Sequence, residues 1–133
     1  MDDGFDRFRE RYERPHAEVV DVIEQADIGA VYGANGYTTR DQVDLIADRL
    51  RLGEDDLLLD VGTGCGWPGV HLAATTGCRV VATDVPVVGL ARAARRAVAD
   101  GIGDRVDVVA ATGQQPPFRD GAFDAICSTD VLC

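Results

Sequence analysis

The stretch that decides the fold is Leu57-Leu58-Leu59-Asp60-Val61-Gly62-Thr63-Gly64-Cys65-Gly66-Trp67-Pro68-Gly69. Its first five residues form an apolar run broken only by one acid, which predicts a strand buried on both faces of a sheet. The alternating glycines that follow predict a tight turn. Pro68 is typical of the first turn of a helix, which we expect to continue to about Thr76. The unit is therefore interpreted as strand, glycine turn and helix.

Downstream of this unit, strands and a helix alternate again. Strands are expected at Arg79–Thr83, Arg105–Ala110 and Phe123–Ser128. Between the first two, a helix opened by Pro86 and closed by Gly101 has an apolar side formed by Val87, Leu90, Ala91, Ala94 and Val98. Such alternation predicts the α/β class, with a doubly wound, Rossmann-like parallel sheet and right-handed crossovers.

Upstream of the sheet, the pattern predicts helices. Over residues 4–26, apolar side chains recur at a helical period, at Phe5, Phe8, Tyr12, Val19 and Ile23. Pro15 interrupts this pattern, so we expect two short helices or one kinked helix. After a loop at Gly29–Gly36, Thr39 and Gln42 have the spacing of a capping box. They predict a helix that ends near Gly53 and buries Val43, Ile46 and Leu50.

Charge and composition exclude several classes of function. The chain has 133 residues and a formal net charge of −10, from 13 basic and 23 acidic residues. An acidic surface repels phosphate backbones, so we expect no nucleic-acid partner. No apolar run approaches the roughly 20 residues of a membrane-spanning helix, and the first residues do not resemble a secretory signal. We expect a cytoplasmic protein that is not attached to a membrane.

The four cysteines and two histidines do not predict a metal site. Structural zinc sites bring their ligands together at short spacings, and Cys65, Cys78, Cys127 and Cys133 include no Cys-x-x-Cys pair. We expect reduced thiols and no bound metal. Cys65 and His71, which lie in and just after the glycine turn, are interpreted as packing residues.

The glycine turn and two carboxylates indicate a ligand site. Gly62, Gly64 and Gly66 let the backbone approach a ligand that a Cβ atom would exclude. The helix after the turn offers unpaired N–H groups and the positive end of its dipole. Asp60 and Asp84 end two neighbouring strands, at the edge where open parallel sheets bind their ligands. A carboxylate at Asp84 is suited to accept both hydroxyls of a ribose.

A dinucleotide-binding site is the competing interpretation. Residues 64–69 satisfy the pattern G-x-G-x-x-G, and Asp84 lies at about the expected distance along the chain. That pattern places its first glycine directly after the strand, whereas here Gly62 precedes Gly64. A pyrophosphate beside Asp60 would also be repelled, while a cationic sulfonium or ammonium group would be attracted.

Three motifs in order resemble the class I S-adenosylmethionine-dependent methyltransferases of the small-molecule type. Residues 57–73 resemble the first motif of that family, and residues 80–84 resemble its ribose-binding second motif. The third is Pro116-Pro117-Phe118-Arg119-Asp120-Gly121-Ala122-Phe123-Asp124, which is similar to the family pattern L-P-F-x-D-x-x-F-D. The resemblance implies S-adenosylmethionine as cofactor and a small-molecule methyl acceptor. It implies no catalytic residue that can be identified in this chain.

The resemblance also assigns residues to the cofactor. Asp60 and the backbone of Gly62, Gly64 and Gly66 would face its methionine part, Asp84 would bind the ribose and Val85 would lie against the adenine. Where the family commonly has an aspartate for the adenine amino group, this chain has Thr112, followed by Gly113. A threonine hydroxyl is a neutral and weaker acceptor. Asp130, after the fourth strand, is placed at the methionine end or near the acceptor.

The resemblance covers residues 37–133, which we interpret as the N-terminal part of the cofactor-binding domain. Residues 1–36 would form a helical lid region that carries Tyr12 and Tyr32. Family members generally continue past the fourth strand, so the domain looks truncated and Phe123–Ser128 would form an exposed apolar edge. We therefore expect self-association or a missing C-terminal half. A non-catalytic module that binds the cofactor, or less readily half of an NAD-dependent oxidoreductase, remains the alternative.

Overall fold

The computed structural model describes residues 3–15, 17–34 and 36–131. The side chains of Phe5 and Phe8 lie outside what is described, as do Met1, Asp2, His16, Asn35, Leu132 and Cys133. The helices are α1 Asp3–Glu13, α2 Glu18–Ile28, α3 Arg40–Leu50, α4 Gly69–Thr76 and α5 Val87–Ala99. The strands are β1 Leu57–Val61, β2 Arg79–Asp84, β3 Val106–Ala110 and β4 Ala125–Cys127. No helix among these ranges is long and apolar enough to cross a membrane.

The four strands form one parallel sheet in the order β3-β2-β1-β4. The chain moves outward from β1 to β2 and β3, and then crosses to the other side of β1 for β4. The strand order reverses between β1 and β4, and ligands bind at such a switch point in doubly wound sheets. In the centre Asp60 pairs with Ala82 on one side and with Cys127 on the other. The predicted fold class is confirmed.

The core lies between the sheet and the helices that cover it. Leu58, Val70, Leu72 and Val80 are almost fully buried. The α4 helix begins directly after the glycine turn and packs against β2, while α5 packs against β2 and β3. This arrangement places the turn, and therefore the start of α4, at the carboxyl edge of the sheet.

The predicted N-terminal helices are present, but several apolar residues of α2 face solvent. The chain breaks between α1 and α2 around Pro15, and the Thr39–Gln42 capping box forms as expected. Tyr12 is buried, whereas Val19 and Ile23 are 62% and 57% exposed, so the helical period of the apolar residues does not mark the buried side of α2. The α2 helix instead buries Glu24, whose carboxylate accepts the backbone N–H groups of residues 32–34. These three hydrogen bonds stabilise the orientation of α2 that buries Glu24 and leaves Val19 and Ile23 exposed.

The predicted buried faces of α3 and α5 need similar corrections. Leu50 is the last residue of α3 and is exposed, although Val43 is fully buried as expected. On α5, Val87 and Val98 are 65% and 71% exposed, and the buried residues are Gly89, Leu90, Ala93 and Ala97. Small residues face inward because α5 lies so close to the glycine turn: a Cβ atom on Gly89 would lie 2.7 Å from the carbonyl oxygen of Gly64. The apolar periodicity alone does not contain this steric requirement.

Candidate cofactor site

The glycine turn after β1 has a backbone that only glycine adopts readily. Gly62, Gly64 and Gly66 have φ angles of 77°, 59° and 106°. L-residues with a Cβ atom rarely adopt positive φ, which explains why the three glycines alternate through the turn. The amides of Gly62 and Thr63 both donate to the carbonyl oxygen of Thr83, at 2.8 and 2.9 Å. The turn is thereby fixed to the end of β2.

Asp60 supports this turn from inside the protein. It is fully buried, and its Oδ2 atom accepts hydrogen bonds from the Thr63 hydroxyl at 2.7 Å and the Gly69 amide at 2.9 Å. The Cys127 thiol, on β4, donates to its Oδ1 atom at 3.5 Å. Burial raises the pKa of Asp60 to about 6, although these hydrogen bonds act in the opposite direction. Asp60 therefore joins β1, α4 and β4 at the switch point.

Asp84 meets the middle of the turn from the end of β2. Its Oδ2 atom accepts the Gly64 amide at 2.7 Å, and its Oδ1 atom accepts the Val85 amide at 2.8 Å. The residue is half-buried, and desolvation raises the pKa of its carboxyl group. Each oxygen of an ionised carboxylate has room for about two hydrogen bonds, so Asp84 can accept further donors from a ligand. The structure brings together Gly64, Asp84 and Val85 from the predicted set.

Two side chains from outside the sheet lie on the turn. A Cβ atom built on Gly64 would lie 2.8 Å from the hydroxyl oxygen of Tyr12, on α1. A Cβ atom on Gly62 would overlap the methyl groups of Val131. Because glycine has no Cβ atom, Tyr12 can lie close to Gly64 and Val131 can lie close to Gly62.

Asp130 contacts a residue that the sequence did not single out. Its Oδ2 atom accepts hydrogen bonds from the Thr38 hydroxyl at 2.6 Å and from the Thr38 amide at 3.2 Å. The carbonyl oxygen of Thr38 accepts the indole N–H of Trp67 at 2.9 Å. Thr38 thus connects the segment after β4 with the end of the glycine turn. In the sequence, only its position beside the capping residue Thr39 hinted at an ordered backbone.

Thr112 and Gly113, the predicted adenine neighbours, lie in the exposed loop after β3. The Thr112 hydroxyl accepts the Gln115 amide at 3.3 Å, and a Cβ atom on Gly113 would lie 3.2 Å from Val61. The amide of the preceding Ala111 donates to the carbonyl oxygen of Asp84 at 3.0 Å. This loop therefore starts beside Asp84.

Trp67 lies in a cluster of tilted aromatic rings at the end of the turn. Its ring centroid is 5.1 Å from those of Tyr32 and His71, and the Arg96 guanidinium lies over the Tyr32 ring at 4.2 Å. His71 is buried, and desolvation lowers its pKa although Asp44 lies 3.5 Å away. Burial likewise raises the pKa of the Cys65 thiol. These environments fit the predicted packing roles of His71 and Cys65.

The described residues contain no cluster of three or more side chains that suits a metal ion. The polar groups that converge at the carboxyl edge of the sheet are instead carboxylates and backbone amides. A parallel sheet with a glycine turn after β1 and an acid at the end of β2 defines a Rossmann-like nucleotide-binding fold.

Comparison with known proteins identifies the family within this class. Residues 58–133 match the family model described as "Methyltransferase domain". The chain belongs to this methyltransferase family, as its three motifs indicated.

Individual relatives agree with this membership. The chain is 32% identical over 88 residues to the sterol 24-C-methyltransferase of Eremothecium gossypii, covering 66% of this chain and 24% of that protein. A geranyl diphosphate methyltransferase structure in complex with SAM superimposes with a TM-score of 0.62 and 28% identity, over 66% of this chain and 36% of the other. The [4+2]-cyclase SpnF is similar as well, with a TM-score of 0.62 and 32% identity, over 75% of this chain and 37% of the other. The chain therefore spans only 24% to 37% of the length of these proteins.

Proposed function

We propose that this chain binds S-adenosylmethionine across the glycine turn and contributes the cofactor half of a methyltransferase. The observation that carries the proposal is the contact between the Gly64 amide and the Asp84 carboxylate. Asp84 is a half-buried carboxylate beside a backbone that has no side chain, and such a carboxylate is suited to accept two ribose hydroxyls. The related structures crystallised with SAM or S-adenosylhomocysteine support this choice of cofactor.

The charges at the turn favour a cationic cofactor over a dinucleotide. Asp60 and Asp84 approach the turn from the neighbouring strands β1 and β2, and Asp130 follows β4. With a pKa of about 6, Asp60 carries a negative charge at neutral pH. A sulfonium or ammonium group gains from these carboxylates, whereas a pyrophosphate is repelled. This argues against the NAD-dependent alternative.

The remaining predicted residues fit the two ends of the cofactor. We assign Asp60, Gly62, Gly66 and Asp130 to the methionine end, because all lie at or next to β1 and β4. Val85, Thr112 and Gly113 are assigned to the adenine end, because they follow β2 and β3 beside Asp84.

When bound, the cofactor supplies an activated methyl group on sulfur, so the protein needs no nucleophile of its own. The residues of this chain have to orient the sulfonium and keep water away from it. Tyr12 and Trp67 are buried beside the turn and are suited to exclude water. Relatives whose names specify a sterol or geranyl diphosphate support a small-molecule acceptor.

Two further assignments belong to the whole protein. We propose that the open edge of β4 is covered by further chain of the kind its longer relatives have, or by a second copy. We also assign the protein to the cytoplasm, because Cys65, Cys78 and Cys127 are free thiols, as a reducing compartment would keep them. The likeness to SpnF, which is named as a cyclase, favours one alternative, a domain that holds the cofactor for chemistry other than methyl transfer.

Calorimetric titration tests the proposed cofactor. We expect the chain to bind S-adenosylhomocysteine and not NAD. The Asp84→Ala variant should bind about ten- to a hundredfold more weakly, because it loses a charge-assisted contact with the ribose. The exposed Asp104, before β3, gives a matched control, since Asp104→Ala removes the same charge away from the turn. Unchanged affinity in a folded Asp84→Ala variant would remove Asp84 from the site.

A second experiment separates a methyltransferase from a non-catalytic binding module. It measures turnover of S-adenosylmethionine with a pool of small-molecule acceptors.

A further inference from the structure

Thr38 is bonded through all three of its polar groups. Its hydroxyl and amide donate to Oδ2 of Asp130 at 2.6 and 3.2 Å, and its carbonyl oxygen accepts the Trp67 indole N–H at 2.9 Å. One residue of the N-terminal segment is therefore attached both to the end of the glycine turn and to the segment after β4.

The segment after β4 is held in close contact with the N-terminal segment and the turn. A Cβ atom on Gly36 would overlap the carboxylate of Asp130, so only glycine at this position lets Asp130 approach. The next residue, Val131, places its methyl groups against Gly62. The contacts form a closed ring, from Thr38 to Asp130, Val131, the glycine turn, Trp67 and back to Thr38.

We infer that Thr38 and Asp130 form a latch that holds Val131 against Gly62 and competes with the cofactor for the glycine turn. This inference rests on the proposed function, because the face of Gly62 that Val131 covers is the face a methionine moiety would use. Asp130 then has two alternative sets of partners, the Thr38 amide and hydroxyl or the cationic end of the cofactor. A ligand that binds only the open arrangement has its affinity reduced by the fraction of molecules that are closed.

If the latch exists, a substitution that weakens it should increase the affinity for the cofactor. Thr38→Val keeps the shape of the side chain, the amide and the carbonyl group, but removes the 2.6 Å hydrogen bond to Asp130. Because this bond ends on a carboxylate, its loss should favour the open arrangement and tighten S-adenosylhomocysteine binding about five- to twentyfold. A substitution that merely damaged the fold would weaken binding.

Two further variants test whether tighter binding depends on the Thr38 hydroxyl and on the contact of Val131 with Gly62. Thr38→Ser keeps the hydroxyl and should retain the affinity of the parent chain. Val131→Ala shortens the side chain that lies on Gly62 and should also tighten binding. If both substitutions open the same latch, their effects in the double variant should be less than additive. Thr75→Val, on the exposed surface of α4, removes a hydroxyl that bonds only to carbonyl groups of its own helix, and it serves as the control.

The experiment is a fluorescence titration of the full chain with S-adenosylhomocysteine, followed through Trp67, the one tryptophan in the sequence. Tighter binding by Thr38→Val, with Thr38→Ser and Thr75→Val like the parent, supports the latch. Binding by the parent that is equal to or tighter than that of a folded Thr38→Val variant overturns the latch and leaves the proposed function intact. Detectable binding by the Thr38→Val variant, with none by the parent chain, also supports the latch. No binding by any of the variants overturns the proposed function, and the latch with it.

Discussion

The two sides of the central strand β1 differ in how completely they are built. On one side, β2 pairs with β1 over five positions, and α4 and α5 cover the strands. On the other side, β4 pairs over three positions, and Ile126 is 61% exposed. A groove of about 370 Å³ runs between β4 and α3, lined in part by Leu45 and Leu50. The closed side carries the glycine turn and Asp84, while the open side contributes Asp130 and Val131.

This difference explains why the glycine turn is ordered although the β4 side is open. The turn is fixed by hydrogen bonds to β2 and by contacts with α4 and α5, so its geometry depends on the closed side. The open side adds Val131, whose side chain contacts the turn at Gly62. We therefore expect substitutions on the closed side to have large effects on stability and those on the β4 edge to have small ones.

The largest effect is expected for Gly66→Val. Gly66 has a φ of 106°, and a Cβ atom there would lie 2.7 Å from Val70 and 3.1 Å from Ala93. Backbone strain and overpacking together should lower the free energy of unfolding by about 3–5 kcal/mol. Chemical denaturation measures this loss. Gly101→Val is the control, because Gly101 also has a positive φ but nothing lies within 4 Å of the added Cβ atom. Equal losses in the two variants would contradict the tight packing of α5 on the turn.

Asp60 should make stability depend on pH. Its pKa is raised from 3.8 to about 6, so the folded protein binds this proton more tightly than the unfolded chain does. The contribution is therefore fully present below pH 3.8 and is lost as the pH rises to about 6. We expect the free energy of unfolding to fall by about 2 kcal/mol between pH 4 and pH 7 relative to Asp60→Asn, which cannot ionise. Parallel denaturation curves at pH 4 and pH 7 measure the difference, and an identical pH dependence in the two proteins would show that Asp60 keeps its ordinary pKa.

The smallest effect on stability is expected at the open edge. Ile126→Lys should change the free energy of unfolding by no more than about 0.5 kcal/mol, because the side chain is already exposed. If the edge of β4 pairs with a second copy, the added charge should abolish that association. Sedimentation equilibrium over a concentration series tests this, with Val98→Lys on the exposed face of α5 as control. A parent chain that stays monomeric at high micromolar concentration would contradict self-association.

The sequence predicted best those elements whose patterns are local. The strand at Leu57–Val61, the glycine turn and the Thr39 capping box follow from short-range signals, and the structure has all three. The apolar side predicted for α5 is wrong at Val87 and Val98, and the apolar period of α2 does not mark its buried side, because tertiary contacts decide both. Glu24 is buried by the amides it accepts, and Ala93 by its approach to Gly66.

The residues of the candidate site also differ in whether local sequence patterns predict them. Its glycines and Asp84 come from motifs, and the structure brings them together at the end of β2. Thr38 contacts Asp130, which lies 92 residues further along the chain, and no local pattern encodes such a pairing. Tyr12 was predicted to lie in a helix of the lid region, but its position over Gly64 depends on how α1 packs against α5.

The most direct test of the central claim, that the cofactor lies across the glycine turn, is an NMR titration of the ¹⁵N-labelled chain with S-adenosylhomocysteine. We predict that the amide resonances of Gly62, Gly64, Gly66 and Val85 shift together with one saturation curve. The amides of Leu45 and Ile126, in the groove of the open side, should shift much less. Shifts confined to that groove, or no shifts at the glycine turn at saturating ligand, would contradict the account.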